Sequence, residues 1–325
     1  MGAALIRSRP AGTKTPSPPG ASAPAPASPP PVRAADRRRR RGRGPALFAV
    51  PALAWYGVFM LGPVVAMFVI SFNDWASLIS PHEFTGTDNY RRMFDDPVFW
   101  DAVRNTGVQL AVALPLMIPC AFMLGYYLQL KPPGHRTLRV LCFTPGLLSI
   151  SAKAMIFVGM FAPDGGVNGL LEAFGMDAAT TPWLADPSTA LATVIVVDVW
   201  GGIGYTAVLF AARLASVPEA LYEAAALDGA GHWRRMWQVA YPVCKGFVGV
   251  AAMLQFLWTL FSSAATVLML TKGGPGTSST TLSYLMYQRA FLQQDIGYSQ
   301  AVGVFLFVAG LVGMVVIRRF LRQNY

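Results

Sequence analysis

Val217-Pro-Glu-Ala-Leu-Tyr-Glu-Ala-Ala-Ala-Leu-Asp-Gly-Ala-Gly-His-Trp-Arg-Arg-Met-Trp-Gln-Val-Ala-Tyr-Pro242 is a polar island set between two long apolar runs. Pro218 suits the first turn of a helix, and Glu219 and Glu223 fall near that helix's N-terminus, where the dipole favours anions. Leu221, Ala224, Ala225 and Leu227 give it a small, apolar face at helical spacing. Gly229 then interrupts the helix, and Trp233, Met236 and Trp237 form a second apolar patch. A short helix of this kind fits a groove on another protein. On these residues alone it fits a lipid surface equally well.

The chain has 325 residues, 54% of them hydrophobic and 13% charged, with a mean hydropathy of +0.44. Soluble domains are about 25% charged, so the composition excludes an ordinary one. A bilayer core of ~30 Å needs about 20 apolar residues in a helix. Six stretches meet or approach that length: 46–71, 105–130, 140–162, 189–212, 246–270 and 299–317. With the N-terminus inside, the inner segments hold twenty Lys and Arg and the outer segments four. This positive-inside bias places both termini in the cytoplasm, and it accounts for the net charge of +10 without a nucleic-acid partner.

Residues 1–45 are rich in Pro, Ala and Ser and close on the arginines at 37–41 and Arg43. They read as a disordered, basic cytoplasmic tail that fixes topology, the alternatives for the basic run being a site for anionic lipid or a targeting n-region. The apolar run that follows is too long for a cleaved signal peptide. Cys120, Cys142 and Cys244 stand singly, and His82, His135 and His232 are scattered, so neither a disulfide framework nor a metal site is expected. No Gly-x-x-x-x-Gly-Lys-Ser/Thr occurs, and Gly273-Gly274-Pro275-Gly276 lacks the context of a phosphate-binding loop. The chain is expected to bind no cofactor and to catalyse nothing itself.

Glu223-Ala224-Ala225, three residues, Gly229, nine residues, Val239, one residue and Tyr241-Pro242 resembles the EAA signature of ABC-importer permeases. It departs from that signature only in the apolar exchanges at Val239 and Tyr241. Trp200-Gly201-Gly202-Ile203-Gly204-Tyr205, Leu270-Thr271-Lys272-Gly273-Gly274-Pro275, Thr280-Thr281-Leu282-Ser283-Tyr284, Ala290-Phe291 and Gly297-Tyr298-Ser299-Gln300-Ala301 narrow the resemblance to carbohydrate-type permeases, related to the maltose and glycerol-phosphate importers. The resemblance runs over residues 46–325.

It implies an all-α, polytopic fold of six transmembrane helices, of the type I importer permease kind, in a bacterial plasma membrane. It implies a second, homologous permease subunit and an extracytoplasmic solute-binding protein. It also implies a cytoplasmic ATPase dimer that holds ATP and magnesium and docks on the loop at about 213–245. The coupling residues it implies are Glu223, Ala224, Ala225, Asp228 and Gly229. The cargo it implies is a sugar, with a glycerol phosphate as the alternative. A stand-alone, ion-coupled carrier is the rival class, and the EAA loop speaks against it.

Two ionisable residues fall inside apolar spans, Lys153 and Asp198. Such groups are costly in a membrane and are functional candidates by default. Each sits nine residues from the outer end of its span, about 13 Å at 1.5 Å per residue, so the two can meet at one depth. The alternatives are an ion pair that fixes helix packing, or a place in the solute path. The resemblance assigns Asp198, Gly202 and Tyr205 to the solute site. A carboxylate at 198 points the selectivity toward an amino- or N-acetyl sugar. In the fifth span Gln255, Trp258, Thr259 and Ser262 share one helix face, with Ser263 beside it. That face serves either as a sugar-binding wall or as polar glue between helices.

Overall fold

The computed structural model describes residues 43–76, 80–176 and 180–321, so the expected tail at 1–45 lies outside the described residues up to residue 42. The chain opens with α1 (Arg43–Tyr56), one π-helical turn at Gly57–Leu61, and α2 (Gly62–Ser71). A two-residue antiparallel pair follows, β1 (Asn73–Asp74) with β2 (Glu83–Phe84), the one departure from an all-helical chain among the described residues. Then come α3 (Asp88–Asp95), α4 (Pro97–Gln129), α5 (His135–Leu147), α6 (Ile150–Met160) and α7 (Gly166–Ala173). The second half holds α8 (Ala190–Leu214), α9 (Glu219–Leu227), α10 (His232–Arg235), α11 (Tyr241–Leu270), α12 (Leu282–Tyr287) and α13 (Ile296–Leu321).

Among the described residues, five helical stretches are long and apolar enough to cross a membrane: Val50–Ser71, Pro97–Gln129, Ala190–Leu214, His232–Leu270 and Ile296–Leu321. The sixth expected span, at 140–162, is not one continuous helix. It is the pair α5 and α6, bent by 100° at Leu148 and Ser149. The local chemistry explains the break. Pro145 removes a helical donor in the last turn of α5, and Leu148 is extended at φ −67°, ψ 139°. The Ser149 side chain then accepts from the Ala152 N–H at 3.1 Å and starts a new helix.

α4 packs most extensively on α8, through a glycine contact. A Cβ at Gly125 would lie 2.7 Å from both the Ala207 carbonyl and the Phe210 Cβ. One apolar core gathers Phe122, Phe210, Leu214, Met236, Ala240 and Cys244 at the α9 end of the bundle. A second joins Phe99, Leu260, Leu285 and Tyr298.

The opposite end is latched by polar contacts. Asp96 caps α4 and accepts from both Arg289 and the Tyr298 hydroxyl. Arg289 also lies over the Tyr298 ring, 4.6 Å from its centroid. The Asn105 amide donates to the Thr277 and Thr280 carbonyls, each at 2.9 Å, and so ties α4 to the loop between α11 and α12. Gly273 sits in that loop at φ +81°, where a Cβ would meet Thr280 and Tyr284 at 2.6 Å.

Candidate functional site

Two places stand out, one at each functional level of the sequence. The first is the segment from Val217 to Ala240. α9 ends in a Schellman arrangement: the Ala230 N–H donates to the Ala225 carbonyl at 2.9 Å and the Gly229 N–H to the Ala226 carbonyl at 3.0 Å, with Gly229 at φ +74°. Arg235 Nε donates to the Ala230 carbonyl at 2.7 Å and fastens α10 to that turn. Val217, Met236 and Ala240 are buried in the core beneath, with Tyr222 and Trp237 packed against it. The segment is therefore seated on the ends of α4, α8 and α11.

Its outer face has no such partners. Glu223, Ala224, Asp228 and Gly229 are exposed, and Leu227 is 91% exposed. Ala225 is half-buried. Neither Glu223 nor Asp228 forms an ion pair within the described residues. The turn thus displays an exposed leucine beside two carboxylates that form no ion pair among the described residues. Behind it lies a cleft of about 890 Å³, where Lys131, His135, Arg139 and Arg235 face Glu219 and Glu223. The Tyr222 hydroxyl is buried with no hydrogen-bond partner among the described residues. Burial, reinforced by Tyr126 and Cys244, pushes that hydroxyl up to about 12.

The second place is a cavity of about 360 Å³ within the bundle, walled by α5, α6, α8 and α11. It brings together Lys153, Asp198, Gly202, Tyr205, Gln255, Trp258 and Ser262, all singled out in the sequence. Two others lie elsewhere. Thr259 is buried at 3% exposure and Ser263 at 2%, and neither lines the cavity. Ser263 instead shares hydroxyl hydrogen bonds with Ser283 at 2.8 Å and Thr281 at 3.1 Å, joining α11 to the start of α12. For Ser263 the polar-glue reading describes the contact, because it sits one residue past the stripe that faces the cavity.

Asp198 does not pair directly with Lys153. Gln109 Nε2 donates to Asp198 Oδ2 at 2.8 Å, and Thr266 Oγ1 donates to Oδ1 at 2.8 Å. Sequence reasoning missed both donors. Thr266 had a signal, since it continues the stripe Gln255, Trp258, Ser262 by one more turn. Gln109 is fully buried in α4 and was legible only as an amide inside an apolar run. Tyr205 and Trp258 leave about half of their surface open, at 52% and 58%. The cavity thus offers two aromatic faces, an amide, a hydroxyl, a held carboxylate and an ammonium. That mixture suits a polyhydroxylated solute.

Small residues set the spacing. A Cβ at Gly204 would lie 1.6 Å from the Cys142 carbonyl oxygen, so α5 meets the α8 backbone directly there. A Cβ at Gly202 would press on the flexible end of Met117, at 2.6 Å, and touch the Gln255 amide at 3.6 Å.

The family described as the binding-protein-dependent transport system inner membrane component matches residues 100–323. The chain belongs to that family. Individual relatives match over more of the sequence. A probable ABC transporter permease protein, YurN of Bacillus subtilis (strain 168), is 32% identical over 86% of this chain and 96% of its own. The diacetylchitobiose uptake system permease protein NgcF of Streptomyces coelicolor (strain ATCC BAA-471 / A3(2) / M145) is 32% identical over 82% of this chain and 78% of its own. A crystal structure of a bacterial alginate ABC transporter, in complex with alginate pentasaccharide-bound periplasmic protein, contains a chain of the same fold. It superposes with a TM-score of 0.75 at 21% identity, over 87% of this chain and 97% of that one. This inner-membrane component is a multi-pass membrane permease.

Proposed function

We propose that this permease subunit carries a sugar across the plasma membrane, driven by ATP hydrolysis in separate subunits. The observation that carries the reading is the cavity itself. Asp198, Gly202, Tyr205, Gln255, Trp258 and Ser262 converge there from two helices, with aromatic faces for stacking and polar groups for hydroxyls. The diacetylchitobiose permease and the alginate transporter are similar chains whose cargoes are saccharides.

The α9 turn supplies the coupling. Glu223 accepts charge-assisted hydrogen bonds from the ATPase, Ala224 and Ala225 permit close approach, and Asp228 and Gly229 form the turn that the ATPase presses against. ATP and magnesium belong to that ATPase. A second permease closes the open side of the path, and a binding protein delivers the solute at the far face. Alternating access then follows from the docking turn moving as a rigid unit with its partners.

Uptake of labelled neutral sugars, N-acetylated sugars and glycerol phosphates, in cells with and without this chain, tests the reading. Selective, ATP-dependent loss of a sugar is the expected result. Loss of glycerol phosphate uptake alone overturns the cargo, and uptake driven by an ion gradient without ATP overturns the importer mechanism.

A further inference from the structure

Lys153 is the cavity residue whose position the sugar-binding arrangement does not explain. It lies in α6, half-buried; its ammonium forms no hydrogen bond and no ion pair with any other described residue, although it lies within electrostatic range of Asp198. Its stem runs over Gly201: a Cβ there would lie 3.1 Å from Nζ and 3.6 Å from Cδ. Gly201 is one helical turn from Asp198, so the missing side chain lets the ammonium reach the level of that carboxylate.

Asp198 nevertheless takes its hydrogen bonds from Gln109 and Thr266. Those two bonds hold the carboxylate on α8, whereas Lys153 has a four-carbon stem and three free donors. An ammonium at membrane depth without a bonded partner is costly to keep unless something supplies the acceptor.

We propose that the cargo supplies it: Lys153 recognises an acidic group, so the transported saccharide carries a carboxylate or a sulfonate. This deepens the sugar reading above and rests on it. Tyr205 and Trp258 stack on the pyranose rings, Gln255 and Ser262 meet hydroxyls, and the acidic substituent lies toward α6, on the side of the cavity that Lys153 occupies. Asp198 meets neutral donors of the cargo and disfavours an acidic group placed on its own side.

The test uses the complete transporter, with its second permease, ATPase and binding protein, in liposomes. The probes are a labelled glucuronate-containing disaccharide, a labelled sulfonated glycoside and labelled lactose. Wild type is expected to accumulate at least one acidic probe, and which of the two separates carboxylate from sulfonate recognition. Lys153→Gln is expected to slow that uptake by about tenfold or more, the loss of a charge-assisted contact. Lys153→Arg keeps the cation and is expected to retain most of it.

Acidic uptake unaffected in Lys153→Gln overturns the proposal, as does equal loss in Lys153→Gln and Lys153→Arg. Uptake of lactose alone overturns it and leaves the sugar reading standing. Uptake of none of the three overturns the proposal, and the sugar reading falls with it only if the neutral and N-acetylated sugars of the cell assay are not taken up either.

Discussion

Gly202 and Gly204, on the same stretch of α8, make opposite demands. Gly204 faces a backbone carbonyl at a distance no Cβ can share, and a carbonyl cannot move without moving α5. Gly204→Ala is therefore expected to lower the amount of folded protein in the membrane or its melting temperature. Gly202→Ala displaces only the tip of Met117 and is expected to accumulate normally, with uptake altered through the cavity shape. Comparing membrane abundance and thermal melting of the two variants checks this.

Tyr222 makes the opposite kind of prediction. Its hydroxyl is buried without a partner among the described residues, so Tyr222→Phe is expected to leave stability unchanged or raise it. The raised hydroxyl also has a sign. Its contribution is fully present below pH 10, the ordinary value, and is lost as pH rises toward 12. The phenylalanine variant should flatten that part of a melting-temperature profile against pH.

Among the elements, the bent pair α5 and α6 is where sequence and structure part. Residues 140–162 are mostly apolar, and hydropathy averages over a window that hides a capping serine. Pro145 and Ser149 held the information, yet membrane helices tolerate such residues so well that neither is decisive alone. The consequence reaches the site, because a straight span would set Lys153 by depth, whereas the bend sets it by the direction of α6. Ser149→Ala removes the cap that starts α6 and is expected to cost about 1 kcal/mol, seen as a lower melting temperature.

The α9 turn was far more legible, since Glu223, Gly229 and the aromatic patch after it define start, stop and seat within one short run. In α11 the face was readable and its exact edge was not. Thr266 belongs to the stripe and Ser263 to a neighbouring contact, a difference of one helical step that only packing decides. Gln109 marks the limit of such reading, because nothing local in α4 says which distant carboxylate it will hold.

Within residues 55–325 the cavity lies between α5, α6, α8 and α11, with the polar latch near one end of α4 and the exposed α9 turn near the other. The latch of Asp96, Arg289 and Tyr298 and the Asn105 contacts hold one end as a unit, while the α9 turn rides on a buried aromatic core. A force applied at Leu227 and Glu223 thus reaches α4, α8 and α11 together, and these are helices that carry Gln109, Asp198 and Thr266. Under the proposed function, that chain of contacts lets the turn couple ATP hydrolysis in the partner ATPase to movement of the cavity.

Gly229→Asp tests it most directly. The position has open space around it, and aspartate tolerates positive φ better than most residues, so the spans should fold. The substitution nevertheless places bulk and charge on the docking face. Sugar uptake and ATP hydrolysis would be measured together in the complete transporter carrying this variant. Stable protein, continuing ATP hydrolysis and uptake reduced by about tenfold or more are expected. Wild-type uptake by a stably expressed Gly229→Asp protein would contradict it.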